Sequence, residues 1–414
     1  MECTINGISY DGAGVGRVDG RAVFVPFAVP GETVEIDIVS EKNRYSLGRL
    51  RKVVEPSPDR VEPVCPHYYE CGGCSYQHVD YSAQLKYKRQ VVVDNICRIG
   101  KITAEVKETI GMETPWRYRN KVTLHIKNGQ LGYYAENTRR LVPVKTCPLI
   151  TERLEEVTGV LARQLVRING EDNGEVVIRE SSVNGGIMVV FHQIKSAVDL
   201  VNSLKGYCSS IYNMEDNRFK LLYGKPFLEE RINDLTFRLS PGAFFQVNHQ
   251  QTLVLIAKVL EYLNLSGDEN ILDAYCGIGS ISLPLAKVSG TVLGVESFAA
   301  AVEDARLNAI LNNLTNCEFM SGQCEKIVPK LNRQFDAVVL DPPRAGCKRE
   351  VVTAITDMSP SRVIYVSCNP ATLARDLAVF AEQGYLIKEV QPVDMFPWTS
   401  HIENCVLLSK NDLK

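Results

Sequence analysis

From about Gln250 onward the chain alternates short apolar runs with helical stretches, and this alternation constrains the fold more than any other feature. TLVLIAKVLEYLNL reads as a helix, and NILDAYCGIGSISLPLA as a strand, a turn and a helix. TVLGVESFAAAVEDARLNAILNN repeats strand and helix, FDAVVLDPPR ends a strand in a rigid loop, and RVIYVSCNP does the same before the helix ATLARDLAVF. Strands separated by helices at this spacing predict a parallel sheet with helices on both faces. Ligands of such sheets bind beyond the carboxyl ends of the strands. Cys368 falls there, on the turn into a helix. It is either a nucleophile or a small buried residue, and the turn alone leaves both open.

The first half reads differently. Residues 1–55 carry strand-like runs such as AVFVPFAVPGETVEIDIV, broken by glycine and proline, and predict a small β-barrel. EPSPDRVEPVCP is a proline-rich linker. Residues 65–147 hold a cysteine cluster, then an amphipathic helix candidate (DYSAQLKYKRQVVVDNICRIG), then strands (RYRNKVTLHIKNGQLGYYA). Residues 150–230 alternate a helix with strands as an α+β unit whose pattern carries no functional signal. Three units are therefore expected: a barrel at 1–55, a central domain at 56–230 and an α/β domain at 231–414.

Within LDAYCGIGSISLPLA, Asp273 ends a strand and Gly277 and Gly279 lie in the turn, where glycine lets a ligand approach the backbone. The third glycine of a dinucleotide fingerprint is absent, its place taken by Ser282. Glu296 ends the next strand, where a carboxylate can accept both ribose hydroxyls. This suits the adenosine of S-adenosylmethionine, though any nucleotide-binding α/β domain remains an alternative at this point. Charge is uneven: residues 1–150 hold 21 basic against 17 acidic side chains, leaving 25 against 32 for the rest. Such a bias permits phosphate contact without requiring it. No apolar run is long enough to span a membrane and MECTINGISY is not a signal peptide, so a cytoplasmic monomer is expected. With thirteen cysteines in a reducing compartment, metal binding or catalysis explains some of them better than disulfides do. Cys65, Cys71 and Cys74 lie on one short loop with Gly72 and Gly73; such a thiolate set suits a [4Fe–4S] cluster or zinc.

FFQVN, DAYCGIG, GVE, DPPRAG, SCNP and HIE occur in that order through the final part of the chain. Together they resemble the RNA uracil-5-methyltransferase family. CPHYYECGGCSYQHVDYSAQLKYK resembles the iron–sulfur segment of its ribosomal-RNA branch, and DGAGVGRVDGRAVFVPFAVPGE resembles its TRAM domain, an OB-like RNA-binding barrel. The resemblance implies a Rossmann-like, class I methyltransferase domain at the C-terminal end. It implies Cys368 as nucleophile and Glu403 as base, and S-adenosylmethionine contacts from Gln246, Tyr275, Ser280, Glu296, Gln323 and Asp341. It makes Cys147 the fourth thiolate beside Cys65, Cys71 and Cys74, and it favours [4Fe–4S] over zinc. His401 is expected to be structural, and Cys3, Cys97, Cys208, Cys276, Cys317, Cys324, Cys347 and Cys405 ordinary.

The implied chemistry accounts for the residue types. Carbon 5 of uracil attacks a methyl sulfonium only after a thiolate has added to carbon 6, and a base must then remove the carbon-5 proton. The expected activity is methylation of carbon 5 of a uridine in RNA. The branch with barrel and cluster points to 23S ribosomal RNA, with transfer RNA as the alternative. A cytosine-5 methyltransferase and a non-catalytic RNA-binding factor are the competing readings.

Overall fold

The computed structural model describes residues 1–168 and 172–411. Five strands, β1 (Glu2–Ile8), β2 (Gly14–Val18), β3 (Arg21–Val25), β4 (Thr33–Glu41) and β5 (Tyr45–Glu55), close into a barrel in the order β1-β2-β3-β5-β4. Side chains alternate across a strand, so Cys3 and Ile5, Val23 and Val25, and Val34 and Ile36 point inward and are buried. Gly16 is required by this packing, because a Cβ there would lie 2.4 Å from the Cys3 sulfur.

Helix α1 (Tyr81–Asn95) follows, and after it a seven-stranded sheet built from β6 (Lys121–Lys127), β7 (Gln130–Tyr134), β8 (Leu141–Pro143), β9 (Asn173–Glu180), β10 (Ile187–His192), β11 (Ser210–Glu215) and β12 (Arg218–Gly224). Its order is β12-β11-β10-β9-β6-β7-β8, parallel only between β10 and β11. Helices α2 (Glu152–Ile168) and α3 (Ala197–Leu204) share its core, with Leu154, Val157 and Leu161 against Val176, Ile178 and Phe191. The hairpin β13 (Leu228–Ile232) and β14 (Leu235–Leu239) joins this region to the last.

The C-terminal sheet contains β15 (Asn270–Ala274), β16 (Thr291–Glu296), β17 (Cys317–Ser321), β18 (Ala337–Leu340), β19 (Arg362–Ser367), β20 (Tyr385–Val393) and β21 (Glu403–Lys410). The order is β17-β16-β15-β18-β19-β21-β20; β15 to β19 run parallel and β21 runs against both its neighbours. Strand order reverses between β15 and β18, which opens a crevice at their carboxyl ends. The strands read as continuous apolar runs because both faces are covered. Helices α4 (His249–Leu263), α5 (Ser282–Ala286) and α6 (Ala299–Leu311) contribute to one core, and α7 (Cys324–Ile327), α8 (Arg349–Met358) and α9 (Pro370–Glu382) to the other.

Residues 56–230 contribute to several cores: Met188, Val190 and Tyr212 to one with α4, and Tyr76, Val79 and Ala83 to one with Val29 of the barrel region. Val92 and Ile96 pack with Leu373 and Leu377 of α9, and residues Val106 and Ile110 bridge in parallel to Val390 and Val393 at the edge strand β20. The amphipathic helix predicted here forms as α1, but its buried face includes Gln84 and Lys88. Lys88 is fully buried and donates to Asp394 at 2.6 Å, which also accepts the Tyr81 hydroxyl at 2.8 Å. An ion pair so placed needs its extra hydrogen bonds to offset desolvation. Among the described residues no helix is long and apolar enough to cross a membrane.

Candidate active site

Register builds the centre of the site. In the β19–β21 ladder Ser367 faces Asn404 and Val366 faces Cys405, so the next pair outward is Cys368 and Glu403. The two residues, far apart in sequence, meet at the carboxyl edge of the sheet. Asn369 caps α9, its side chain accepting from the Ala371 amide at 3.1 Å, and Pro370 takes the first helical position, where no amide is needed. The Asn369 side-chain amide also donates to the Arg344 carbonyl at 3.0 Å, which ties the Cys368 turn to the DPPR loop.

Electrostatics there are dominated by buried acids. Burial, then the charge of Asp341, holds the Glu403 carboxyl well above the usual carboxylate range, with Arg344 opposing. Burial and Glu296 likewise raise Asp341. Burial pushes the Cys368 thiol up to about 11; Glu403 and Asp341 add to this, while the Arg344 guanidinium and its hydrogen bond pull it down. His401 is held down at about 4 by burial and by the neighbouring cations Arg344, Lys88 and Arg119, so it stands neutral.

The remaining candidates line the strand ends. Tyr275 follows β15 with φ of 69° and donates its amide to Val295 at 2.8 Å. The Glu296 carboxylate accepts from the Gly277 amide at 3.2 Å and the Phe298 amide at 2.7 Å, so it is fixed beside the glycine turn. Ser280 is partly buried in that turn, Gln323 is exposed at the start of α7, and Asp341 directly follows β18. Gln246 lies partly buried just before α4. Asp273 is fully buried and pushed up to about 7 by burial and by Asp341 and Glu296; one of its oxygens has no partner. A cation-bearing adenosine cofactor fits this donor set: a fixed carboxylate for ribose, buried acids for the positive end, and glycines that leave the backbone bare.

Two contributors were not singled out from sequence. Arg344, within DPPR, lies between Cys368 and His401, 3.4 Å from the His401 ring. Tyr10 reaches over from the barrel, its hydroxyl donating to the Cys368 carbonyl at 3.2 Å and its ring 6.5 Å edge-on from His401. Both line a recess of about 570 Å³ together with Arg119, Lys121, Phe396 and His401. Three basic side chains and aromatic rings around a polar cavity suit a nucleic-acid substrate.

The cysteine loop forms another wall of this recess. The Ser75 and Tyr76 amides donate to the Trp398 carbonyl at 3.1 and 3.0 Å, and the Ser400 amide donates to the Ser75 hydroxyl at 2.8 Å. Cys71 and Cys74 are raised to about 11 and about 12, by burial first and then by the charges of Cys147 and Cys65. Cys65 is raised by burial and by Cys147. The four sulfurs are therefore gathered in one neighbourhood. Among the described residues, however, no group of three or more His, Cys, Asp or Glu converges on one ion-sized point.

Residues 215–411 match the family model described as tRNA (Uracil-5-)-methyltransferase, and residues 1–50 match the TRAM domain. An uncharacterized RNA methyltransferase of Halalkalibacterium halodurans is 43% identical over 99% of this chain and 96% of its own length. A counterpart from Listeria monocytogenes is 39% identical over 99% and 98%. Among solved structures, the Pyrococcus abyssi tRNA (uracil-54, C5)-methyltransferase in complex with S-adenosyl-L-homocysteine superposes with a TM-score of 0.80 and 29% identity, covering 99% of both chains.

Proposed function

Because the chain belongs to the tRNA (uracil-5-)-methyltransferase family and is an S-adenosylmethionine-dependent RNA methyltransferase, we propose that Cys368 and Glu403 are its nucleophile and base in methylating carbon 5 of a uridine. The observation that carries this reading is that the β19–β21 ladder ends at Ser367 opposite Asn404, leaving Cys368 and Glu403 as the next residues at the same sheet edge, close enough for the Glu403 charge to act on the Cys368 thiol. The Cys368 thiol gives up its proton to solvent, the thiolate adds to carbon 6, and carbon 5 becomes an enolate carbon. Carbon 5 takes the methyl group from S-adenosylmethionine, which leaves as S-adenosylhomocysteine; Glu403, in its carboxylate form, removes the carbon-5 proton, and the thiolate departs as the ring double bond re-forms. Asp341 hydrogen-bonds the ring while its carboxyl is neutral, as its raised pKa favours. Gln246, Tyr275, Ser280, Glu296 and Gln323, with Asp341, bind the methyl donor. Because attack is on the ring face, the uridine must leave its stack and enter the recess beside Arg344.

The target is a uridine of 23S ribosomal RNA, a reading supported by the resemblance of the four-cysteine segment to that of the ribosomal branch. Transfer RNA is the second reading, favoured by the whole-length likeness to the Pyrococcus abyssi enzyme, which is named for a tRNA uridine. Mapping 5-methyluridine in both RNAs from a deletion strain separates the two. Cys65, Cys71, Cys74 and Cys147 hold a [4Fe–4S] cluster. This reading is supported by the resemblance of the cysteine segment to the iron–sulfur segment of the ribosomal-RNA branch and by the nearness of the four thiols. Methyl transfer consumes no electron, so the cluster serves to pin the loop that supports Trp398 and Ser400.

Glu403→Gln tests the mechanism. The amide keeps size but cannot take the proton, so methyl transfer proceeds and elimination stalls. A covalent RNA adduct is expected on a denaturing gel, and it should vanish when Cys368→Ala is added. Normal turnover by Glu403→Gln would refute the base assignment. Cys368→Ala alone should abolish turnover while binding S-adenosylmethionine normally.

A further inference from the structure

Behind one wall of the active-site recess lies a second recess of about 420 Å³, within the ~300–1,000 Å³ range of small-ligand sites. The septum between them is two extended stretches: the Asn120 amide donates to the Val247 carbonyl at 2.9 Å, and Arg119 bridges to Asn248. Side chains alternate along an extended stretch. Arg119 and Lys121 accordingly line the first recess, and Tyr118 and Asn120 line the second.

Asn120 is the unusual group. It is 6% exposed, yet neither the nitrogen nor the oxygen of its side-chain amide has a hydrogen-bond partner. Burying both ends of an amide unpaired is costly, so such a group calls for a partner that supplies a donor and an acceptor together. Nδ1 of His249, in the first turn of α4, is unpartnered as well and belongs to the same lining. The Glu180 carboxylate, which accepts the Thr151 hydroxyl, is another lining group. One apolar wall is Trp116, whose ring stacks on Trp398 at 4.1 Å. Arg117 also lines the recess, but its guanidinium is engaged by the Glu155 carboxylate and the Cys147 and Ile150 carbonyls, which leaves the Glu180 carboxylate to accept N–H groups. An aromatic wall, a free amide and a carboxylate together describe a site for a flat heterocycle that both donates and accepts.

We propose that this recess takes an unpaired purine base of the substrate RNA, close in sequence to the target uridine. The proposal rests on the reading of the chain as an RNA methyltransferase and adds a second, specificity-determining contact to it. An asparagine amide pairs with the N6 and N7 atoms of adenine through two hydrogen bonds. Guanine would instead offer its N–H groups to Glu180. A base held here would let the septum act as a wedge, with one nucleotide on each side, so that the uridine is presented to Cys368 only in RNA carrying a purine at the matching distance.

Asn120→Leu tests this in the full-length enzyme. Methylation of total RNA from a strain lacking the gene is followed against RNA concentration. KM for RNA is expected to rise at least tenfold, with kcat at saturating RNA and S-adenosylhomocysteine affinity retained. The melting temperature should not fall, since two unpaired buried atoms are removed. A KM within twofold of wild type overturns the proposal and leaves a recess filled by water only. Should Asn120→Leu fail to fold, Glu180→Gln is measured by the same criterion. Nucleoside binding to enzyme saturated with S-adenosylhomocysteine, followed by NMR, identifies the base: adenosine or guanosine should bind in an Asn120-dependent manner. Equal binding of uridine or cytidine overturns the purine assignment. Absence of methylation by the wild-type enzyme would instead count against the reading of function, and the nucleoside measurement would then decide the recess alone.

Discussion

The Cys368 thiol is poised by opposing neighbours. With its pKa pushed up to about 11, the resting side chain is S–H at neutral pH. Burial and the charges of Glu403 and Asp341 favour the thiol, and Arg344 favours the thiolate. The rate of Cys368 alkylation by iodoacetamide should therefore keep climbing above pH 9. Arg344→Ala should move its midpoint to higher pH, and Asp341→Asn to lower pH. Peptide mass spectrometry across a pH series measures this, and a midpoint indifferent to Arg344 would remove that residue from the account. Cys368 and Glu403 could be picked out of the sequence because their motifs are local. That they face each other depends on an antiparallel register, which no local pattern carries. Tyr10 was invisible for a stronger reason: its partner is 358 residues away and its own surroundings read as an ordinary hairpin.

At the scale of elements, the turn between β1 and β2 belongs to the active site as much as to the barrel. Gly12, at φ of 93°, has no room for a side chain: a Cβ would stand 3.0 Å from the Tyr76 ring and 3.2 Å from Ser400. The barrel is thus seated against the same loop that the cysteine segment holds. Tyr10→Phe removes one hydrogen bond, about 1 kcal/mol net, and should lower kcat a few-fold. Gly12→Val unseats the whole turn and should lower kcat further. If the barrel were only an RNA tether, both variants would change KM for RNA and leave kcat alone. Steady-state kinetics with each variant distinguish these outcomes. Helix α1 teaches a related lesson about reading sequence. Its position was predictable, but its buried face was not, because Gln84 and Lys88 are polar. Their partners, the Trp398 amide and Asp394, lie 314 and 306 residues further on.

Across the whole molecule, the site draws on the barrel, the cysteine loop, the β6 approach and the C-terminal sheet. Removal of the proposed cluster should act through that network. Anaerobically purified protein is expected to contain iron and sulfide. Chelation should lower the melting temperature and weaken RNA binding, while affinity for S-adenosylmethionine holds, since Glu296 and the glycine turn stand on a separate support. Zinc without iron in metal analysis would reject the cluster. The parallel sheet and its crevice were legible from the alternation of strand and helix, because each βα unit writes its own period. The convergence of distant loops on Cys368 was not, because it is made of contacts rather than patterns. The ladder between β19 and β21 has one more effect, on where this chain can tolerate a change of length. Added residues at the turn around Gly384 meet open space and leave both strands in step. One residue gained or lost inside β21 shifts the pairing by one and turns each side chain beyond it to the other face. Glu403 would then point away from Cys368 in a protein whose fold was otherwise intact, so the ladder works as a ruler that forbids insertions in β21 and ignores them at the turn before β20.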